Sequence, residues 1–185
     1  MKSEGTALRR ETFRKLHRHH NIWRWAFSTF LAALFMSFVC FVWFDWVKLG
    51  NDSMAPTFHK GDLVLVDRLY KYYAHIERTD MVAFYRPGTD QLLIKRVVAI
   101  AGETVGGQSG AIWIDEKYRL EEEEYGAVHL TDFDTLTVPD GCVFVLSDDR
   151  QYMEDSREEG IGCVFLDDIV GVVHIRLLPS FTLYR

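Results

Sequence analysis

Leu92-Leu93-Ile94-Lys95-Arg96-Val97-Val98-Ala99-Ile100 is an apolar run broken by two adjacent cations. Its length and composition read as a strand. Extended backbone alternates its side chains, so Ile94 and Arg96 share one face while Lys95 shares the other with Leu93 and Val97. A lysine on an apolar face either snorkels outward or has its pKa lowered by desolvation. Around this run, Leu63-Val64-Leu65-Val66, residues 81–85, 111–114, 143–146 and 169–175 have the same strand-like character. Gly61-Asp62, Pro87-Gly88, Gly106-Gly107 and Pro139-Asp140-Gly141 read as the turns between them. Only residues 69–73 suggest a helical turn, and no internal repeat is visible. Residues 45–185 are therefore expected to form one mainly β domain built on antiparallel sheet.

The other end of the chain has a different character. Residues 25–44 are 20 consecutive residues without a charge. As a helix they span about 30 Å, the thickness of a bilayer's hydrocarbon core. Trp23 and Trp25 sit at one end, Trp43 and Trp46 at the other, as an aromatic belt would require. No small-residue cleavage site follows, since Phe44-Asp45-Trp46-Val47 is bulky, so the run reads as a retained transmembrane helix. Residues 1–24 form a basic arm with seven Lys and Arg against two Glu. The positive-inside rule places that arm in the cytoplasm and residues 45–185 on the extracytoplasmic face of the cell membrane, single-pass.

Whole-chain averages conceal this layout. The net charge of −6 divides into +5 on the arm and −11 after residue 44, and a mean hydropathy of −0.06 sums a membrane span and a polar domain. A pI near 5.6 argues against nucleic acid as a partner. Three Cys without paired Cys-x-x-Cys spacing exclude a disulfide scaffold and a zinc module. Cys142 and Cys163 flank residues 147–162 and read as two buried thiols, with a bridge as the alternative. Cys40 reads as a packing residue of the span, and His17, His19 and His20 as solvated. Glu121 to Glu124 repel one another and read as an exposed loop.

Three segments carry candidate chemistry. Gly50-Asn51-Asp52-Ser53-Met54-Ala55-Pro56-Thr57 is, taken alone, a capped turn leading into the strand at Leu63. Lys95 is the unusual residue of the second. The third runs Leu146-Ser147-Asp148-Asp149-Arg150, then Glu154-Asp155-Ser156-Arg157 and Gly160-Ile161-Gly162. Such Asp/Arg alternation is either a surface salt-bridge loop or a buried network that holds a site in place.

Together, in this order and behind an anchor, the segments resemble bacterial type I signal peptidases (peptidase family S26), membrane-bound serine proteases with a Ser/Lys dyad. Ser53-Met54-Ala55-Pro56-Thr57 is similar to the family's nucleophile motif, and Gly61 to Val66 to the strand after it. Lys95 to Glu103 is similar to the segment carrying the general base. Asp148, Arg150, Asp155, Ser156, Arg157 and Gly160 match the Gly-Asp-Asn-Arg…Ser-x-Asp-Ser-Arg-x-x-Gly stretch. The resemblance implies a signal-peptidase-like β fold and removal of signal peptides from exported preproteins, without cofactor or metal. It implies Ser53 as nucleophile, Lys95 as base, and Asp155, Arg157, Arg96, Asp148 and Arg150 as the network supporting that base. The oxyanion hole would be the Ser53 N–H with Asn51, which stands where some members have a hydroxyl. Leu49, Met54, Phe58 and Ile94 are candidates for the pocket that receives small substrate side chains.

The chemistry is consistent with that resemblance. A serine hydroxyl needs an adjacent base, and a lysine supplies one only when burial holds its amine neutral. A Ser-His-Asp triad would draw on His59, His75, His129 or His174, none of which sits in a recognisable triad motif. Several positions depart from the family pattern. Ser147 replaces Gly, Asp149 replaces Asn, Ala101 and Glu103 replace Pro and Asp, and Met153 replaces a Ser that hydrogen-bonds the catalytic amine. The alternative is a paralogue that binds secreted or surface subunits as an assembly partner. A self-cleaving repressor of the related Ser/Lys fold would need a DNA-binding domain where residues 1–44 hold an anchor.

Overall fold

The computed structural model describes residues 2–108, 111–115, 117–119 and 132–184. Residues 121–124 and His129 lie outside them. Two compact units divide the chain, Met1–Val42 and Trp43–Arg185. The first is nearly all one helix, α1 (Lys2–Trp43). Within α1, Ile22–Trp43 is long and apolar enough to cross a membrane. Trp23, Trp25, Phe27, Phe35 and Phe41 are all exposed, so this helix has no polar face to offer water.

The second unit is mainly β, as the strand pattern predicts. Its larger sheet takes β1 (Phe44–Lys48), β2 (Leu63–Asp67), β3 (Met81–Tyr85) and β4 (Leu92–Ile100). A smaller sheet takes β5 (Thr104–Gln108), β6 (Ala111–Ile114), β7 (Lys117–Arg119) and β8 (Phe133–Thr137). The chain then returns to the larger sheet with β9 (Cys142–Leu146), β10 (Val164–Phe165), β11 (Ile169–Leu178) and β12 (Thr182–Leu183). The order is β1-β2-β11-β3-β4-β9-β10 with β12 beside β11, and β7-β6-β5-β8 in the smaller sheet. Every pairing is antiparallel. A short helix of this unit, α2 (Tyr70–Tyr73), falls where the helical turn is expected, and a 3-10 turn at Leu166–Asp168 precedes β11.

Both faces of β4 and β9 are covered, which explains why their sequences run apolar without clean alternation. On one face Leu93 and Val97 join Val82, Phe84, Val143, Val145 and Ile161. On the other, the smaller sheet brings Val105, Ile112 and Ile114 against Ala99, Phe144 and Leu146. Further along, the segment after β1 lays Leu49, Met54 and Phe58 against Val64, Ala83 and Ile94. Each of the larger of these side chains, from Val to Phe, contributes about 1.5–3 kcal/mol by leaving water.

Two expectations need correction. Gly106-Gly107 lies inside β5, paired to both β6 and β8, and is not a turn. A Cβ on Gly106 would stand 2.5 Å from Thr135 Oγ1 and 3.2 Å from Thr135 Cα, so the glycine permits close strand approach. Phe44, read as the end of the span, begins β1 and pairs with Asp67. Cys142 and Cys163 are both free thiols and pack in one cluster, with Cys142 on β9 and Cys163 next to β10.

Gly106→Val should therefore lower the melting temperature by an amount equivalent to about 1–3 kcal/mol. Thr135→Ala should restore only part of it, because the Thr135 backbone also blocks the added atoms; a neutral Gly106→Val would refute the close-approach account.

Candidate active site

Alternation along paired strands decides the site. β4 and β9 run antiparallel with Arg96 opposite Leu146. Extending that register one residue puts Lys95 opposite Ser147, on the face of Leu93 and Val97. Arg96 and Asp148 then share the other face. Two adjacent residues on each strand thus feed two separate buried networks.

On the first face, Lys95 has no exposed surface. Its Nζ donates to Ser147 Oγ at 2.9 Å and, among the described residues, makes no other hydrogen bond and no ion pair. Burial pushes the amine down from 10.5 to about 8, while Asp155, Glu154 and Asp148 pull upward and Arg157 adds to the depression. Asp155 is wholly buried and accepts hydrogen bonds from the Ser147 N–H at 2.9 Å and from Arg157 Nε and Nη2 at 2.8 and 2.7 Å. Burial alone would raise this carboxyl; the bidentate Arg157 and the Ser147 amide outweigh it and hold it below the usual range. Arg157 also donates to the Arg150 and Tyr152 carbonyls, and Arg150 donates to the Ser147 carbonyl.

On the second face, Arg96 grips Asp148 with Nε to Oδ1 at 2.7 Å and Nη2 to Oδ2 at 2.6 Å. Thr57 completes a triangle, donating to Asp148 Oδ2 at 2.5 Å and accepting from Arg96 Nη2 at 3.0 Å. The Thr57 carbonyl in turn accepts from Arg176 Nη1 and Tyr184 Oη at 3.2 and 3.1 Å. Residues of all three candidate segments therefore meet in one buried ion pair. Thr57, Arg176 and Tyr184 were not among the sequence candidates; only Thr57 carries a signal, as the last residue of its motif.

The turn from Asn51 to Thr57 holds Ser53, which is 4% exposed. The Ser53 carbonyl accepts from the Asp149 N–H at 3.0 Å, which ties the turn to the chain two residues beyond Ser147. Its hydroxyl donates no hydrogen bond among the described residues and is not bonded to Lys95. Contacts between nucleophile and base are often long in a resting site and tighten with substrate. The Ser53 N–H donates to Asn51 Oδ1 at 3.2 Å. In this state Asn51 therefore occupies the donor expected to serve an oxyanion. Leu49, Met54, Phe58 and Ile94 do gather in one cluster. Met54 and Phe58 have no exposed surface, however, and Leu49 and Ile94 retain only 8% and 6%; the less buried edge of that cluster is Val47, Leu92 and Tyr184. No grouping of His, Cys, Asp and Glu suited to a metal ion occurs among the described residues.

The sequence profile of the family described as signal peptidase, peptidase S26, matches residues 22–178. Signal peptidase I S of Bacillus subtilis (strain 168) is 30% identical over 169 residues, 86% of this chain and 90% of its own. The probable signal peptidase I-1 of a Synechocystis species is 32% identical over 147 residues, 71% of this chain and 70% of its own. A crystal structure of a signal peptidase I from Enterococcus faecalis V583 overlaps with a TM-score of 0.46 at 30% identity, covering 53% of this chain and 96% of that one.

Asp148→Asn keeps the shape of the second network and removes the charge facing Arg96. A buried cation left without its partner costs about 3–5 kcal/mol. A clear fall in melting temperature is expected, whereas Asp149→Asn, at a position whose carboxylate accepts only the Gln151 N–H among the described residues, should melt like wild type. Equal melting of the two variants would show that the Arg96 pair does not hold the site.

Proposed function

The chain belongs to the signal peptidases of peptidase family S26, and from that membership we propose the working parts of this serine peptidase: Ser53 attacks, Lys95 is the base, and α1 is the anchor. Signal peptide removal is the family's reaction; the assignment of roles rests on this chain's own residues. The observation that carries it is Lys95, a wholly buried amine with a hydroxyl for its only partner among the described residues. A structural lysine gains nothing from that position, whereas a base needs it.

The Ser53 hydroxyl proton passes to the neutral Lys95 Nζ as Oγ bonds to the scissile carbonyl carbon. The resulting ammonium returns that proton to the departing amine, leaving an acyl ester on Ser53. Lys95, neutral again, takes a proton from water as the water oxygen bonds to the acyl carbon; the carbon–Oγ bond then breaks, the ammonium returns that proton to Ser53 Oγ, and the product acid leaves. The oxyanion of each tetrahedral stage takes the Ser53 N–H in place of Asn51 Oδ1, and rotation of Asn51 brings its own amide N–H to the same oxygen.

An extended substrate adds beside residues 49–53 and 92–95 by main-chain hydrogen bonding, with small side chains against Leu49 and Ile94 and with Met54 and Phe58 behind them. The anchor reading rests on the exposed apolar surface of Ile22–Trp43 and on the charge of the arm. It puts the arm in the cytoplasm and Ser53, nine residues beyond Phe44, on the extracytoplasmic side, where signal peptides of exported preproteins leave the bilayer. No cofactor, metal or nucleic acid takes part.

The test uses detergent-solubilised protein and a preprotein. Ser53→Ala and Lys95→Ala should each cut at least about 100-fold more slowly than wild type. Because only the neutral amine accepts a proton, the wild-type rate should rise with pH through about 8 and level off above it. Cleavage surviving either substitution, or a flat profile from neutral to alkaline pH, would remove the dyad; no cleavage by wild type on several preproteins would leave a binder of secreted or surface subunits. Asn51→Ala should lower kcat by about 100-fold with KM retained, and a wild-type rate would reduce Asn51 to a turn residue.

A further inference from the structure

Ser147 is wholly buried, and all three of its polar atoms are engaged. Its N–H donates to Asp155 Oδ2 at 2.9 Å, its carbonyl accepts from Arg150, and its Oγ accepts from Lys95 Nζ at 2.9 Å. The two backbone contacts fix the residue just beyond the end of β9, so the hydroxyl is held from both sides. Met153, at the position where the resemblance expects a hydroxyl for the amine, is 39% exposed. Its thioether is a poor acceptor.

We propose that Ser147 is the positioning residue of this enzyme: its hydroxyl aims the Lys95 amine at Ser53, supplying from the end of β9 the contact that Met153 cannot make. The proposal rests on Lys95 being the base. A neutral amine has two N–H bonds and one lone pair arranged around the Cε–Nζ axis. With no fixed acceptor the lone pair samples three orientations, and an acceptor that always takes an N–H leaves two. The contact also survives proton transfer, because the ammonium donates to the same oxygen. Nothing in the network then has to move when Lys95 charges.

The groups that face Lys95 electrostatically are Asp155, Glu154, Asp148 and Arg157. A hydroxyl that accepts from the ammonium favours the charged form. Removing it must therefore shift the amine to lower pKa as well as loosen its aim. Loss of packing would do neither.

The test measures kcat, KM and the pH profile on a preprotein for Ser147→Ala in the full-length chain, beside Ser53→Ala and Lys95→Ala. Ser147→Ala should lose about 10- to 100-fold in kcat, the equivalent of one hydrogen bond to a charged group, with KM little changed. The acid limb of its profile should move to lower pH by about one unit. Wild-type kcat and an unmoved limb would overturn the proposal while leaving the dyad intact. Activity surviving in Ser53→Ala or Lys95→Ala would instead overturn the dyad and the proposal with it. If Ser147→Ala fails to fold, Ser147→Cys keeps the volume and backbone bonds with a weak acceptor; it should show the same fall and shift, and a wild-type profile there would equally overturn the proposal.

Discussion

A primary amine with no exposed surface is the constraint around which the β unit is arranged. Water would hold Lys95 charged to about pH 10, and the apolar face of Leu93 and Val97 does not. The depression to about 8 corresponds to roughly 3 kcal/mol of unfavourable burial at neutral pH. That is comparable to one fully buried Val or Phe, so the three core clusters offset it readily. The cost has a definite pH dependence. It is present in full below about 8, where folded and unfolded chains both carry the proton. It is relieved as pH rises from about 8 toward the unfolded value, because there the unfolded chain binds more protons.

Keeping that amine unpaired while surrounding it with charge requires separation, and strand alternation provides it. Arg96 is the next residue along, yet its guanidinium emerges on the opposite face and is neutralised there by Asp148. On the Lys95 side Asp155 is the obvious threat, since a free carboxylate beside the amine would hold it charged. Arg157 takes both Asp155 oxygens, and the Ser147 N–H takes one of them as well. The two carboxylates of the Asp/Arg stretch are thus each held by a bidentate arginine, Asp148 by Arg96 and Asp155 by Arg157, which offsets part of the pull they exert on Lys95. A surface salt-bridge loop would leave these groups in water, and here both carboxylates are wholly buried.

Much of this was legible in the sequence because local pattern carried it. Met81–Tyr85 and Leu92–Ile100 are strands with the expected bounds, since runs of that composition have few other uses. Gly106-Gly107 misled because a glycine needed for close strand approach looks the same as one needed for a turn. β1, β7, β8, β10 and β12 also have no counterpart in the sequence reading: Phe44–Lys48 follows directly on the apolar span, Phe133–Thr137 is half polar, and Lys117–Arg119, Val164–Phe165 and Thr182–Leu183 are too short to show a period. At the site, Ser53, Lys95 and the acidic and basic residues stood out by type and order. Burial did not. Nothing in the sequence says that Met54 and Phe58 lie beneath the surface, or that Arg176 and Tyr184 arrive from the far end of the chain to hold the Thr57 carbonyl.

Position 147 shows most clearly what the fold adds. Along the chain, Ser147 for Gly and Met153 for Ser look like two independent departures, and each alone weakens the case for a working base. Paired strands change that arithmetic. Because Lys95 sits one residue from the Arg96–Leu146 pair, residue 147 is the first beyond β9 that can face it. A side chain gained there can reach the amine, whereas residue 153 lies in the loop that Asp155 ties to Ser147 and Ser156 ties to Val145 of β9. One hydroxyl on a strand end is also better fixed than one on a loop. On the proposed reading the two departures are one exchange, in which Ser147, just beyond β9, supplies the acceptor that the resemblance expects at position 153.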